Sequence, residues 1–493
     1  MFARLAKKRQ RGLDNSDSAP SAFWDFTRTQ RPLLLSRRMP GVKRARSFKA
    51  VIISATSAFS GYTRTQRPLR LKNGRFSPRL KNWGPSLAMF LLTFSLSSQY
   101  NSNFLNYSKT GRSISFNLDY EAGSNGMSGN VGNRLLWGGH ISNETKDESA
   151  RHLKAMNNFG VNVNYDVSTF IKGGKKHDLF FGFKNQEVLN ATYSSDFFNL
   201  MFRGNGYFKG ATADLSNCNI NALRFQEFKF GAMLHHVDSL GKIGVAVSLL
   251  KGEQLFYIRT RGNSSLSTSA AGDELVFHSN FNMALSDTTN KGPTVFNGIG
   301  ASADLYFETP YNGKLGKRSV LTVNANNIGF IHWWNNSVQY SSDSTLRFTG
   351  LSIRNISDLR DSTLSRINRD TLLRDLANAR NENFNVNIPA NLILVNKAWF
   401  GEQELTALSF GFRYIFNANY KPYIFIEPER RIGRVNAALH CGYGGYTRFN
   451  AGASVSYTGP KVFVRLGSNA LQGFFMRKAV FAQSVYVSVA YRL

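Results

Sequence analysis

No run of about 18–20 consecutive apolar residues occurs in this chain, so it contains no helical membrane span. Cysteine is nearly absent too. Cys218 and Cys441 stand 223 positions apart, and neither belongs to a close pair, which removes zinc-type spacing. They are either two free thiols on strands or one long-range disulfide, and spacing does not decide between these. Acid is scarce, with 31 Asp/Glu against 61 Lys/Arg. The resulting charge of +30 suggests a nucleic-acid partner, but its distribution argues otherwise. Residues 1–98 hold 20 of the basic residues and only 3 of the acidic ones. The same segment holds six of the twelve prolines, and after Pro85 none follows until Pro293.

The chain therefore divides in two. Residues 1–70 are basic, proline-studded and without hydrophobic period, and Thr27–Leu33 and Thr63–Leu69 both read TRTQRPL. Such a segment is either a disordered arm for an anionic partner or upstream sequence translated from a start set too early, the latter being favoured. Residues 71–98 run from basic (Arg70 to Lys81) through an apolar core (Leu87 to Leu96) to a small-residue exit at Ser97 and Ser98. That is the order of a secretory signal peptide, with cleavage expected near Ser98. A short buried helix is the alternative.

What is abundant is glycine and aromatics. The chain has 42 Gly, 40 Phe and 19 Tyr, a profile of strands and tight turns. From Ser113 onward, apolar residues recur at every second position. Ile114, Phe116, Leu118 and Tyr120 form one such row, and Phe159, Val161, Val163, Tyr165 and Val167 another. Phe228 to Leu234 runs into a polar turn ending at Lys242, and Ile243, Val245, Val247 and Leu249 return, a hairpin. Similar rows run on to the chain end, separated by turn signals such as Thr458-Gly459-Pro460-Lys461. The pattern predicts about 12–16 strands, with 14 as the best value. One stretch, Ser357 to Arg380, has helical spacing and predicts a helix inserted in a long loop.

The last strand carries Val485, Val487, Val489, Tyr491 and Leu493 on one face. In water such a face needs a second layer over it; in an outer membrane, lipid covers it, and the sheet edges must pair with each other. The expected fold of 99–493 is thus an all-β, transmembrane antiparallel β-barrel with one helical loop insert. Trp333, Trp334, Tyr420 and Tyr423 are expected in its interfacial aromatic girdles.

The terminal strand also resembles the assembly signal of bacterial outer-membrane barrels, with Leu493 where such signals usually carry Phe. A wider resemblance covers most of 99–493. Phe197 to Thr260 contains a Gly-Asn after an apolar run (Gly204, Asn205), a Glu before a Gly (Glu227, Gly231) and a strand into Leu-Lys-Gly at Gly252. "NNIGFIHWWNNS" supplies Asn327, Gly329, Phe330 and Trp333, and "FNVNIPANLILV" has Pro389 opening a strand. These pieces resemble a family of Gram-negative outer-membrane barrel proteins known as a domain of unknown function. In size and layout the chain is also similar to long-chain fatty-acid-transporter-like barrels, a fold-level likeness.

Catalytic chemistry is not evident. His235 and His236 are neighbours on a strand and point to opposite faces, as do His440 and Cys441. No Ser/His/Asp order or paired carboxylate stands out. No catalytic, cofactor or metal residue is assigned. The expected role is non-enzymatic: passage or binding of a small molecule, hydrophobic ones included, or envelope scaffolding. Expected partners are outer-membrane lipid and the barrel-assembly machinery, with no nucleic acid and no assigned ligand. A secreted soluble β protein that binds a partner is the alternative, and a nucleic-acid binder through the basic arm the more distant one.

Overall fold

The computed structural model of this protein describes residues 103–493 except 175, 236–240, 288–289, 291–293, 314–315, 335 and 350–377. The expected extension (1–70) and leader (71–98) lie outside the described residues, as does the expected helix up to residue 377.

A short helix, α1 (Asn103–Thr110), leads into β1 (Ser113–Ser128). Two helices follow, α2 (Gly129–Trp137) and α3 (Asn143–Ala150), before β2 (Met156–Lys172) and β3 (His177–Ser194). Next come α4 (Ser195–Arg203), a short β4 (Ala211–Asp214), β5 (Asn219–His235) and β6 (Lys242–Thr260). Then follow β7 (Ser265–Thr268), β8 (Leu275–Leu285), β9 (Gly298–Gly313), β10 (Gly316–Trp333) and β11 (Val338–Phe348). After them run β12 (Asn378–Asn381), β13 (Phe384–Asn387), β14 (Ala390–Phe400), β15 (Thr406–Phe416) and β16 (Lys421–Ile432). The chain closes with β17 (Val435–Gly445), β18 (Phe449–Thr458), β19 (Val462–Ser468), a one-turn α5 (Gln472–Phe475) and β20 (Val480–Arg492).

Fourteen of these strands form a closed antiparallel wall. In order around it stand β1, β2, β3, β5, β6, β9, β10, β14, β15, β16, β17, β18, β19 and β20. The circle closes where β20 pairs β1, with Phe116 opposite Val489 and Leu118 opposite Val487. Leu493 follows β20, and its N–H donates to the Arg112 carbonyl at 3.0 Å. Both edges of the sheet are thereby satisfied, so the chain can end on a strand.

Alternation places the apolar rows outside. On β6, Val245, Val247 and Leu249 are 42%, 65% and 53% exposed, while Ala246 and Ser248 between them are buried. Ile114 and Phe116 face out likewise, and Ser113, Ser115 and Asn117 face the lumen.

One end of the wall has short connections, such as 173–176, 401–405 and 433–434. Long connections lie mostly at the other end. There β8 pairs the upper part of β6 and carries a small sheet of β4, β7, β11 and β12 beyond the rim.

Two expectations need correction. Among the described residues the sequence reading missed five α-helices, and Asn378 to Arg380, expected at the end of the loop helix, lie in β12. The missed helices are at most nine residues long, too short for a clear period. Serines start three of them: the Ser128, Ser142 and Ser194 side chains accept from Val131, Thr145 and Phe197 N–H. The aromatic girdle also loses members. Trp333, Tyr420 and Tyr423 are almost fully buried, packed inside rather than against the surroundings. Composition marked them as aromatic, but strand parity decides the side of the wall; that of Trp333 and Tyr423 points inward, and Tyr420 lies in the turn before β16. Cys218 and Cys441 are free thiols, Cys218 buried and Cys441 exposed.

Close strand approach makes one prediction. A Cβ on Gly329 would lie 2.1 Å from the Ala301 carbonyl oxygen and 2.6 Å from Ser302 Cα. Gly329→Ala must push β9 and β10 apart. It is expected to lower barrel stability by about 1–3 kcal/mol, read as an earlier urea midpoint of the heat-shifted gel band.

Candidate functional site

The lumen is layered. At the short-turn end α1 is inserted as a plug. Its Phe104 ring lies 5.2 Å from Phe180, 5.8 Å from Tyr306 and 5.9 Å from Phe170. A Cβ on Gly244 would touch the same ring, so the wall is hollowed to receive it. The Tyr107 hydroxyl donates to Asp178 at 2.5 Å, and Arg112 Nε donates to the other oxygen of that carboxylate at 2.8 Å. Burial, with the Asp178 hydrogen bond adding to it, holds the Tyr107 phenol well above its usual range.

Above the plug lies a polar layer around a cavity with about 950 Å³ of empty space, part of it open to solvent. Its centre is Lys229 on β5, 3% exposed, with Nζ 2.7 Å from Glu227 and 2.6 Å from Asp304. Asn327 completes the group. A bulge in β10 between Ala325 and Ile328 puts this residue at positive φ, 62°. Its backbone N–H donates to Asp304 at 2.8 Å, its side-chain Nδ2 donates to Gln186 at 2.9 Å, and its side-chain Oδ1 accepts from Lys229 at 3.3 Å. Arg413 on β15 pairs with Glu121 of β1 across the lumen at 2.8 Å. Buried charges survive here because each cation finds a carboxylate.

Beside this layer stands a buried histidine. His440 Nδ1 is 3.2 Å from Glu427, and Nε2 contacts the Tyr423 hydroxyl; all three are nearly inaccessible. The sequence gives no sign of it, since the residues lie 13 positions apart and meet only because Ile426 pairs with Cys441.

A second space lies at the long-loop rim. Helices α2 and α4 contribute Leu135, Leu136, Phe197, Phe198, Met201 and Phe202 against wall residues Val161, Val163, Leu189 and Ile220. Between them opens a groove of about 1730 Å³, part of it open to solvent. Apart from Glu187, Arg224, Gln254, Ser286 and Asp287, every lining side chain is apolar or aromatic. The charges at that end are paired: Arg224 Nε lies 2.7 Å from Glu253 and 3.4 Å from Glu187. Val188 lines both the groove and the lumenal cavity.

The residues singled out from sequence divide between these places. Glu227 and Asn327 belong to the lumenal ion group, and Pro389 lines its cavity. Gly252 makes room for Trp333, whose ring a Cβ there would meet at 2.9 Å. Gly204 ends α4 at φ 79°, and Asn205 begins the next turn. Gly231 and Gly329 serve strand approach, whereas Phe330 faces outward. Sequence reading missed Lys229, Asp304 and Arg413. Their signal was available: each is a charge at a lumen-facing position in an apolar-alternating strand, Arg413 the lone charge of β15 and the other two sharing their strands with Glu227 and Glu308.

Residues 113–469 match the model of a family of unknown function, DUF5723, and the chain belongs to that family. No curated protein sequence matches the chain. Among solved structures, the P. putida toluene transporter TodX is similar at 10% identity and TM-score 0.37, over 81% of this chain and 96% of that one. A Pseudomonas aeruginosa FadL homologue is similar at 10% identity and TM-score 0.35, over 77% and 90%. The translocator domain of autotransporter NalP from Neisseria meningitidis is similar at 10% identity and TM-score 0.29, over 78% and 89%.

Two outcomes follow from the lumen. Lys229→Met leaves Asp304 buried without its cation and Glu227 with only Lys184 at 3.5 Å, and is expected to cost about 3–5 kcal/mol in a urea titration of the purified barrel. Tyr107→Phe removes one hydrogen bond holding α1, worth about 1–1.5 kcal/mol. Amide exchange in 103–110 is then expected to rise roughly tenfold.

Proposed function

We propose that this member of the DUF5723 family is an integral outer-membrane barrel that binds a small hydrophobic molecule in its rim groove and admits it toward the lumen past Val188. The observation that carries this reading is the groove itself. Its apolar lining and volume suit a small ligand better than they suit lipid packing, and its polar groups sit at one end only. Met201 and Phe202 on α4 give it adaptable and aromatic walls.

The outer-membrane location is supported by the outward apolar rows. Phe228, Phe230, Val247, Leu249, Ile424, Leu439 and Leu466 are all 41–65% exposed on the outside of a closed wall, which in water would aggregate. The partners this implies are lipid around the wall and the assembly machinery that reads terminal strands such as β20. The role is passage or binding and not catalysis: the groove offers a greasy surface, and the cations lining the lumenal cavity are already paired with carboxylates. The plug α1 stands between the lumen and the short-turn end, so passage requires it to yield.

The test is binding of an apolar fluorophore, N-phenyl-1-naphthylamine, to the barrel in lipid nanodiscs. Met201 is partly exposed in the groove, so Met201→Glu is expected to fold and to weaken binding at least tenfold. Unchanged fluorophore affinity in Met201→Glu combined with Leu189→Asp would contradict the groove as the ligand site.

A further inference from the structure

The lumenal face of β1, β2 and β3 forms a three-by-three grid set by register. Asn117, Asp166 and Lys184 make one cross-strand row. Asp119, Asn164 and Gln186 make the next, and Glu121, Asn162 and Val188 the third. Neighbours in such rows have Cβ atoms about 4.5–5.5 Å apart, and diagonal ones lie within side-chain reach. All of these except Asn117 line the lumenal cavity.

The cations that line this cavity are committed. Lys229 is held by Glu227 and Asp304, Lys184 by Gln186 at 2.8 Å and Glu227 at 3.5 Å, and Arg413 by Glu121. The Asp119 side chain makes no hydrogen bond or ion pair with any described residue, and the Asp166 side chain has only the Asn117 amide, at 2.8 Å. The carbonyl oxygens of Asn162 and Asn164 are buried with no donor, and the Tyr446 hydroxyl on the cavity wall also lacks a partner. Asn162 is 9% exposed and Tyr446 is 2% exposed. The cavity therefore presents two carboxylates and two amide oxygens with too few donors. A buried acceptor without a donor is costly, and a built surplus of them calls for a ligand that brings N–H groups and positive charge.

We propose that this lumenal cavity is a binding site for a small organic ammonium ion, seated between Asp119 and Asp166 with Asn162 and Asn164 accepting its remaining N–H donors. Carboxylates take the positive charge of an ammonium ion and amide oxygens take its N–H donors, so the two kinds of acceptor suit one such ligand together. The site is separate from the apolar groove and faces it across Val188. A molecule with an apolar body and an amine end would satisfy both spaces.

The test is calorimetric titration of the full barrel in nanodiscs with 1,4-diaminobutane and methylammonium as probes and 1,4-butanediol as the uncharged comparison. Saturable binding of the amines and none of the diol is expected. Asp119→Asn and Asp166→Asn, each verified as folded by its heat-shifted gel band, should weaken amine binding tenfold or more. Glu404→Gln, an exposed change at the short-turn end, should leave it unchanged. Fluorophore binding to the groove, measured on the same preparations, lets loss of groove binding and loss of this site be read separately. No saturable amine binding, equal binding of the diol, or full affinity in both Asp variants would overturn the proposal.

Discussion

Everything in this molecule depends on one closure, the pairing of β20 with β1. An open sheet of thirteen or fourteen strands leaves two rows of unpaired N–H and C=O groups, and lipid cannot satisfy them. With Ile114 opposite Tyr491 and Ser115 opposite Ala490, both rows disappear into the wall. The same register aligns inside with inside and outside with outside all the way round. A one-residue slip at the seam would set one strand's outward row against the other's inward row, turning either Phe116 or Val489 into the lumen. The Ser488 hydroxyl donating to Asn117 at 2.5 Å pins the register from within.

Closure then defines what the interior must do. A wall with an apolar outside has its polar residues inside, and a narrow lumen brings them together. The protein answers in layers. At the short-turn end the aromatic contacts of α1 fill the space. In the middle, Lys229, Glu227, Asp304, Asn327, Arg413 and Glu121 neutralise one another across strands far apart in sequence. Toward the rim, Leu223, Phe225, Leu250, Ile331 and Trp333 form an apolar cluster. The apolar outer face is interrupted at the groove. Arg224, Glu187 and Glu253 pair at the edge of the groove, where α2 and α4 cover the wall. Paired charge in such a setting is tolerable, and unpaired charge is not.

The wall was legible in the sequence because period-two alternation is a local signal. Ile114 to Tyr120 and Ile243 to Leu249 can be read residue by residue, and the expected count of 14 strands matches the wall. Side was less legible. Trp333 and Tyr423 carry the composition of an interfacial belt, yet their parity turns them inward, and parity is only as good as the register at each bulge. The helices of the rim were hidden by their length, one or two turns begun by a serine. The ion group was hidden by distance: Lys229 and Asp304 lie 75 positions apart and meet only because β5, β6 and β9 are successive staves. Charges on lumen-facing positions were visible as exceptions to alternation. Their partnership was not, because pairing belongs to the closed circle and not to any one strand.

The most direct test of this account is a cross-link across the seam in outer membranes. With Cys218 and Cys441 replaced by Ser, Ser115→Cys and Ala490→Cys place two thiols on directly paired positions of β1 and β20, within disulfide reach. Mild oxidation is predicted to join them within one chain, as it should join Ser115→Cys to Ser168→Cys on the neighbouring pair β1 and β2. A disulfide in the second variant but none in the first, with both proteins folded, would mean that the wall is open where the account requires it to be closed.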